Sequence, residues 1–165
     1  MTFTAKKPAV KIEDQILADF MELFDSGKLD TCWNKTWTNT DSKGQHNFIT
    51  GNPYTGANPM ILQMYMALRG QTLSMWCGYN QAKKEFNCIP KKGSKSAKIL
   101  RPNLLKIELK NKDGSPKLDK AGNPDFYMKL MFKGVSVFNI EDLVGIDEKG
   151  QAKLDKAIAD FKAEC

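Results

Sequence analysis

Histidine is almost absent from the chain, because His46 is the only one among 165 residues. A single histidine excludes the H-E-x-x-H zinc site and every mechanism that needs two histidines. No glycine-rich phosphate loop is recognisable either, since the nearest candidate, residues 92–96 (KGSKS), lacks the upstream glycine. A Cys–His nucleophilic pair would have to use His46, which we expect to be a solvated loop residue. We therefore expect a protein that is not an enzyme, with no catalytic residues and no cofactor.

Pairs of carboxylates are the remaining source of metal ligands. Asp113 with Asp119, or Glu141 with Asp142, could share a divalent cation. Surface carboxylates at turns and helix caps are the simpler explanation of both pairs. The sequence therefore predicts no metal site.

Signs of secretion or membrane insertion are also lacking. The four cysteines include no C-x-x-C pair, and residues 1–10 are polar and basic without an apolar signal region. The longest apolar run, residues 59–68, is interrupted by Gln63 and is too short to cross a bilayer. We expect a cytoplasmic protein (in the host cell if it is viral) with reduced thiols and no membrane partner.

The length and composition predict one folded domain. Hydrophobic residues make up 41% of the chain, which is enough for one core at this length. We place a flexible basic arm at residues 1–10 and a single domain at residues 11–165. The net charge of +6 favours anionic partners, but where the charges lie matters more than their sum.

Two kinds of apolar periodicity divide the chain. Helical spacing dominates its first half, and strand-like alternation follows Cys88. Asn58–Pro59 opens the second helix, with Asn58 as its cap, and Gly70 ends it. The expected fold class is α+β, with N-terminal helices packed on a small antiparallel sheet and a C-terminal helix. The predicted elements are helices at about 11–26, 58–70, 80–86 and 151–163, an ordered irregular segment at 27–58, strands between 88 and 138, and an exposed hairpin tip at 111–124.

Basic charge is concentrated in one segment, residues 83–106. It holds eight lysines and arginines against one acid, Glu85, so its own net charge is +7 (eight minus one). At its centre, residues 90–98 (PKKGSKSAK) mix lysine with glycine and serine. Such a turn can bring ammonium groups and backbone N–H groups to phosphate oxygens. A solvated lysine-rich turn without a ligand is the alternative.

Aromatic side chains occur in or beside polar loops and not in periodic elements, as Trp33, Trp37, Tyr54, Trp76 and Tyr79 show. Proteins that bind single strands combine flat side chains, on which bases stack, with cations that follow the backbone. The sequence offers both, whereas no basic helix suits the major groove of a duplex. For any one aromatic residue, packing in the core is the alternative.

The order of motifs around residues 47–62 is the most specific feature of the sequence. That segment (NFITGNPYTGANPMIL) contains N-x-x-T-G-x-x-Y-x-G-x-N, follows the paired tryptophans and precedes the turn K-G-S-K at residues 92–95. Together these motifs resemble the N-terminal domain of ArdC-type antirestriction proteins over residues 11 to about 146. The family usually has K-G-E-K at the turn, so this chain is more positive there.

The resemblance implies single-stranded DNA binding, and we expect a free-standing domain without the metallopeptidase region to which it is often fused. The main hypothesis is a largely sequence-independent protein that binds single-stranded DNA, or RNA, and serves replication or protection of phage or plasmid DNA. The alternative is an antirestriction protein that docks on a host nuclease. A nuclease or primase would need an acidic metal cluster that the sequence does not show. Replication or nuclease proteins are further candidate partners.

The expected binding face combines the aromatic loop, the start of the second helix and the lysine turn. Aromatic side chains would stack on bases, lysines would contact phosphates, and Asn58 would direct the positive end of the helix toward the groove. The predicted nucleic-acid-binding residues are Trp33, Trp37, Tyr54, Gly56, Asn58, Arg69, Trp76, Tyr79, Lys83, Lys91, Lys92, Lys95 and Lys98.

Overall fold

The computed structural model describes residues 11–27 and 44–164. The predicted basic arm at 1–10 lies outside these residues. The chain divides into two compact units, where unit 2 is residues 100–134 and unit 1 contains the described residues up to Ile99 and from Val135 onward. The expectation of one domain over residues 11–165 stays a prediction.

The first two helices lie where the apolar periodicity places them. Helix α1 spans Ile12–Asp25 and helix α2 spans Asn58–Arg69. Gly70 ends α2 as predicted, with a left-handed φ of 67° that glycine adopts without a steric penalty. The cap position of α2 is Ala57, so Asn58 is the first helical residue and the predicted capping role of Asn58 is wrong.

Helices α1 and α2 pack against each other, and a hydrogen bond also joins them. Leu23 of α1 is buried, and the hydroxyl of Tyr65 in α2 donates a hydrogen bond to the Asp19 carboxylate. Burial, followed by this bond, raises the pKa of Tyr65. The phenol therefore stays protonated and continues to donate at neutral pH.

A short third helix follows, as the sequence predicts. Helix α3 covers Tyr79–Gln81 and continues into a π-helical turn at Ala82–Phe86. Asn87 then adopts a left-handed φ of 53° and stops the helix. This confirms the predicted boundary, because asparagine is among the few residues other than glycine that tolerate this conformation.

Strands of the described residues form one four-stranded sheet, in the order β1-β2-β5-β4, and one two-stranded pair, β3-β6. Strand β1 is parallel to β2, with His46 opposite Met75, whereas β2 is antiparallel to β5, with Trp76 opposite Asn139. The sheet is thus mixed and not purely antiparallel, because α2 lies between β1 and β2 in the chain and a helical crossover allows parallel pairing. The α+β class is confirmed. The strands are β1 His46–Asn47, β2 Met75–Cys77, β3 Cys88–Pro90, β4 Ala97–Glu108, β5 Phe126–Asn139 and β6 Leu143–Gly145.

The C-terminal helix α4, Glu148–Glu164, closes the core of unit 1. Its predicted apolar residues Leu154 and Phe161 are buried in that core. His46 is buried too, and its ring stacks on Phe161 with 5.7 Å between centroids. The expectation of a solvated loop histidine was wrong, because β1 carries this side chain under α4.

The start of α4 is held by two close contacts. The Asp147 carboxylate accepts a hydrogen bond of 2.7 Å from the N–H of Gly150, which holds the first turn. Gly150 is buried, and a Cβ atom there would lie 2.5 Å from the carbonyl oxygen of Asn87. The approach of α4 to the end of the π-helical turn therefore requires glycine.

Two cysteines belong to the same core. Cys77 and Cys88 are free thiols and are fully buried. Burial raises the pKa of Cys77 to about 12, so its thiol is neutral and behaves as a small apolar side chain.

Unit 2 is a β-ribbon built from parts of β4 and β5 with a turn-rich tip. The backbone hydrogen bonds that hold the base of the tip include those from Leu109 N to Asp125 O, from Lys117 N to Leu109 O and from Asp125 N to Lys117 O. Every residue from 110 to 124 is exposed, which confirms the predicted hairpin tip. No helix in the described part of the chain is long and apolar enough to span a membrane.

Candidate nucleic-acid interface

A concave site of unit 1 is an open groove of about 590 Å³. The end of α2 with the residues after it forms one wall, residues 91–95 (the lysine turn) form the second, and the 3-10 turn Ile140–Asp142 forms the third. Four basic side chains and two acidic ones line it, namely Arg69, Lys91, Lys92, Lys95, Glu141 and Asp142. The groove therefore has a positive excess, in line with the predicted phosphate-binding turn.

Arg69 connects α2 to the lysine turn. Its guanidinium donates to the carbonyl oxygens of Lys95 at 2.8 Å and Ser96 at 3.2 Å. The same group lies over the ring of Tyr65, 4.7 Å from the centroid. These contacts direct much of the guanidinium toward the protein, so Arg69 positions the turn as well as adding charge.

The lysine turn is folded by its own backbone and docked on the 3-10 turn. Ser94 N donates to Lys91 O at 3.0 Å, and Gly93 has a φ of +92° that favours glycine. The Nζ of Lys91 donates to the Glu141 carbonyl at 2.7 Å. Lys92 and Lys95 are exposed, and no described residue binds their ammonium groups. These two lysines are the cations best placed to meet an anionic ligand.

Both carboxylates of the groove are engaged by the protein. Glu141 accepts bonds from the Thr72 N–H at 2.8 Å, the Thr72 hydroxyl at 3.0 Å and the Leu73 N–H. Asp142 accepts a 2.7 Å bond from the Gln71 side-chain amide. Their oxygens contact the segment before β2, and within the described residues they form no direct ion pair with the lysines opposite them.

The signature segment at residues 47–58 forms a compact loop organised by Asn47. Its side-chain oxygen accepts from the N–H groups of Ile49 at 3.0 Å and Thr50 at 3.2 Å, and its amide donates to Gln81 at 2.9 Å. Gly51, at φ +71°, closes the loop by donating to the Asn47 carbonyl. The motif thus builds a loop that is fastened to α3.

Trp76 is not a stacking platform. Its side chain is 0% exposed, and its indole N–H donates a 2.6 Å bond to the Gln45 side chain. Gln45 in turn donates to Gln63 at 2.9 Å. The prediction that Trp76 stacks on bases is wrong, because β2 is the second strand of the sheet and all three of its side chains are buried.

The remaining predicted aromatics differ in exposure. Tyr79 is 44% exposed at the start of α3. Tyr54 is half-buried, and desolvation by that burial is the main cause that raises its pKa to about 12. Trp33 and Trp37 lie outside the described residues. Tyr79 is therefore the most accessible of the predicted stacking residues that the structure describes.

The structure does not bring every predicted residue to the groove. Gly56 and Asn58 lie at the start of α2, whereas Arg69 lies at its other end, about 16 Å away at 1.5 Å per residue. Lys83 is exposed on the π-helical turn, and the Lys98 ammonium donates to the Ser136 hydroxyl on β5. The expected use of the positive end of α2 at the groove was wrong, since the groove adjoins the C-terminal end.

Several residues of the site were not predicted to belong to it. Gln71, Glu141 and Asp142 line the groove, but Glu141 and Asp142 lie about 50 residues after the lysine turn. Gln45 and Asn139 hold the surrounding strands through buried side-chain bonds, the latter to Leu73 O at 2.7 Å. Asn139, between Phe138 and Ile140, is the one polar residue of this set with strand-forming apolar neighbours on both sides. Within the described residues, no group of three or more His, Cys, Asp or Glu side chains could hold a metal ion.

The fold and the groove define an α+β protein whose candidate site is a basic surface fit for anions. Comparison with protein-family models then identifies it: the chain belongs to the family of the N-terminal domain of the anti-restriction factor ArdC, which matches residues 7–138. The resemblance predicted over residues 11 to about 146 is thereby confirmed. No curated protein matches the chain.

Solved structures with this fold include the antirestriction protein ArdC from plasmid R388. Its metal-free form aligns with a TM-score of 0.54 and 22% identity, covering 84% of this chain and 44% of that one. Its Mn(II)-bound form aligns with a TM-score of 0.42 and 26% identity, covering 61% and 35%. The first alignment shows a shared fold, and this chain spans less than half the length of that protein.

Proposed function

We propose that this protein binds single-stranded DNA with little sequence preference, through the basic groove of unit 1. The observation that carries the proposal is the pair of exposed ammonium groups, Lys92 and Lys95, on a turn that Arg69 and Lys91 hold in place. Because the backbone of the turn is already folded, only the lysine side chains lose freedom on binding a phosphate backbone, and contacts to phosphate carry no sequence information. Coating of phage or plasmid DNA during replication or restriction is the role that such binding suits.

Base stacking distinguishes single strands from duplexes in this proposal. Tyr79, with Tyr54, Trp33 and Trp37, supplies the flat side chains. Unpaired bases can stack on them, whereas paired bases are enclosed in the duplex. We expect single-stranded DNA to bind at least about tenfold tighter than duplex DNA of equal length. Competition between single-stranded DNA and RNA measures the preference between these two ligands.

Removal of the two free lysines tests the groove. The double variant Lys92→Ala/Lys95→Ala should weaken binding of every oligonucleotide similarly and lower the slope of log K against log salt by about 1.4, at roughly 0.7 per phosphate contact. The matched control is Lys149→Ala/Lys162→Ala on α4, which removes the same charge from exposed positions away from the groove residues. Fluorescence anisotropy from low to high salt gives both values. An unchanged slope in the groove variant, or an equal loss in the control, contradicts the proposal.

We also propose that the protein binds without catalysis. Labelled oligonucleotides in the same titrations should remain intact and unextended in the presence of Mg²⁺ or Mn²⁺. Metal-dependent cleavage that co-purifies with the protein and is lost in a groove variant would contradict this.

Docking on a host nuclease is the second candidate, favoured by the anti-restriction family to which the chain belongs. A net charge of +6 suits an acidic surface of a nuclease and not its DNA-binding cleft, which is itself basic. Protection of DNA from digestion separates the two functions. Protection that follows the DNA concentration indicates coating, whereas protection that follows the nuclease concentration indicates inhibition.

A further inference from the structure

The two faces of the unit 2 ribbon differ in charge. Side chains alternate along a strand, so Phe126, Met128, Leu130 and Phe132 share one face of β5. The Lys106 ammonium lies over the Phe126 ring, 3.2 Å from its centroid, which places Lys106 on that face together with its alternate neighbours Leu104 and Glu108. We call this surface, from Leu104 to Glu108 and from Phe126 to Phe132, the apolar face.

Apolar side chains on this face are unusually accessible. Leu104, Phe126, Met128, Leu130 and Phe132 are between 43% and 62% exposed. A contiguous surface of this kind on a soluble protein marks an interaction site. A two-stranded ribbon is also only marginally stable in water unless another layer covers it.

Charge argues against a nucleic acid on the apolar face. Lys106 and Glu108 are its only charged residues and cancel each other. The opposite face of the same strands also has accessible apolar side chains, since Leu105, Tyr127 and Met131 are 38% to 47% exposed. It adds Arg101, Lys129 and Lys133 without an acid, so net charge is what distinguishes the two faces. A phosphate backbone needs uncompensated cations, whereas a second uncharged apolar surface does not.

We propose that the apolar face is the interface of a homodimer, in which the same face of a second copy covers it. The two faces meet without net repulsion, and the contact is self-complementary as a twofold interface requires. If each of the five side chains loses about 100 Å² of surface, roughly half of what an aromatic side chain can bury, the two copies together bury about 1,000 Å². That area lies at the lower end of specific interfaces, so dimerisation should occur in the micromolar range. This inference does not rest on the proposed nucleic-acid binding.

Sedimentation equilibrium over about 1–200 µM protein tests the dimer, a range chosen to bracket a micromolar dissociation constant. The wild type should pass from monomer to dimer over this range. Leu130→Glu and Leu130→Lys, and independently Leu104→Lys on the neighbouring strand, should raise the dissociation constant at least about tenfold. Their circular dichroism should stay unchanged, because these side chains are exposed in the single chain.

Matched controls lie one residue away on the opposite face. Met131→Glu and Met131→Lys introduce the same charges at a 43% exposed position and should leave the dissociation constant unchanged. A wild type that stays monomeric throughout, or Met131 variants that act like the Leu130 variants, would overturn the proposal. A third result also overturns the proposal: Leu130→Glu weakens oligonucleotide binding, Leu130→Lys preserves it, and neither variant changes the molecular mass measured by sedimentation. The apolar face would then bind nucleic acid.

Discussion

The two compact units use their apolar side chains in opposite ways. In unit 1, most large apolar residues of β2, α2 and α4 are buried, although Met60 and part of α1 are exposed. Polar side chains such as Gln45 and Asn139 are fixed there by hydrogen bonds beneath the surface. In unit 2, nearly every large side chain of the ribbon is exposed. Burial stabilises a fold, whereas exposure of the same groups prepares a surface for a partner. Unit 1 therefore uses its apolar side chains to support the groove, whereas unit 2 exposes them on the faces of its ribbon.

Deleting an aromatic ring in each unit should give the largest difference. Trp76→Ala removes a fully buried ring and leaves Gln45 without its donor, so the free energy of unfolding should fall by about 3–5 kcal/mol. Tyr127→Ala removes a side chain that is 47% exposed in unit 2 and should cost less than about 1 kcal/mol. Urea denaturation measures both. A similar loss of unfolding free energy in the two variants would contradict this difference between the units.

Substituting one glycine in each unit should give an intermediate difference. Gly150→Ala places a methyl group 2.5 Å from the Asn87 carbonyl oxygen and 2.9 Å from the Phe86 carbonyl oxygen. We expect the free energy of unfolding to fall by about 3 kcal/mol, because both oxygens belong to the backbone. Gly114→Ala meets no atom within 4 Å and is penalised only for its φ of +87°, by about 1–2 kcal/mol. Thermal unfolding of both variants checks the order, and a larger loss at Gly114 would contradict it.

The smallest effect is expected at acidic pH. The N–H of Gly150, followed by the Asn87 side chain, holds the pKa of Asp147 below its usual value. A lowered folded-state pKa contributes stability above the unfolded value of about 3.9, and this stability is lost as pH falls through the folded pKa. Asp147→Asn keeps a capping oxygen but cannot titrate, so unfolding should become less sensitive to acid.

Asp113 provides the matched control for this effect in unit 2. Hydrogen bonds from the Ser115 hydroxyl and N–H lower its pKa as well. Its turn is exposed at the hairpin tip, and local opening there does not require global unfolding. Asp113→Asn should therefore leave the pH dependence of global unfolding unchanged, as measured by denaturation at several pH values. An equal flattening in both variants would mean that the tip unfolds with the rest of the protein.

The helices are the part of the fold that the sequence predicts best. The apolar spacing of α1, the Asn58–Pro59 and Gly70 boundaries of α2 and the stop at Asn87 all depend on residues within a few positions of one another. Local sterics and periodicity decide such features. The parallel pairing of β1 with β2 was not predicted, because it joins segments separated by the whole of α2.

Half of the candidate site could be predicted in the same way. The lysine turn is a local feature, since its charges and Gly93 lie within five residues. Its opposing wall could not be predicted, because the Glu141 carbonyl that binds Lys91 lies 50 residues further along the chain. The burial of Trp76 could not be predicted either, because its indole donates to Gln45, which lies 31 residues away in the chain.

The sequence by itself determined which residues can serve as cations, which can stack on bases and which segments form helices, together with the family to which the chain belongs. These properties are local, and a short stretch of residues carries each of them. Only the tertiary structure decided which lysines remain free, which aromatics are enclosed and how exposed the faces of the unit 2 ribbon are. Burial and hydrogen bonding depend on what the chain brings together from distant positions, and a short stretch of residues does not contain that information.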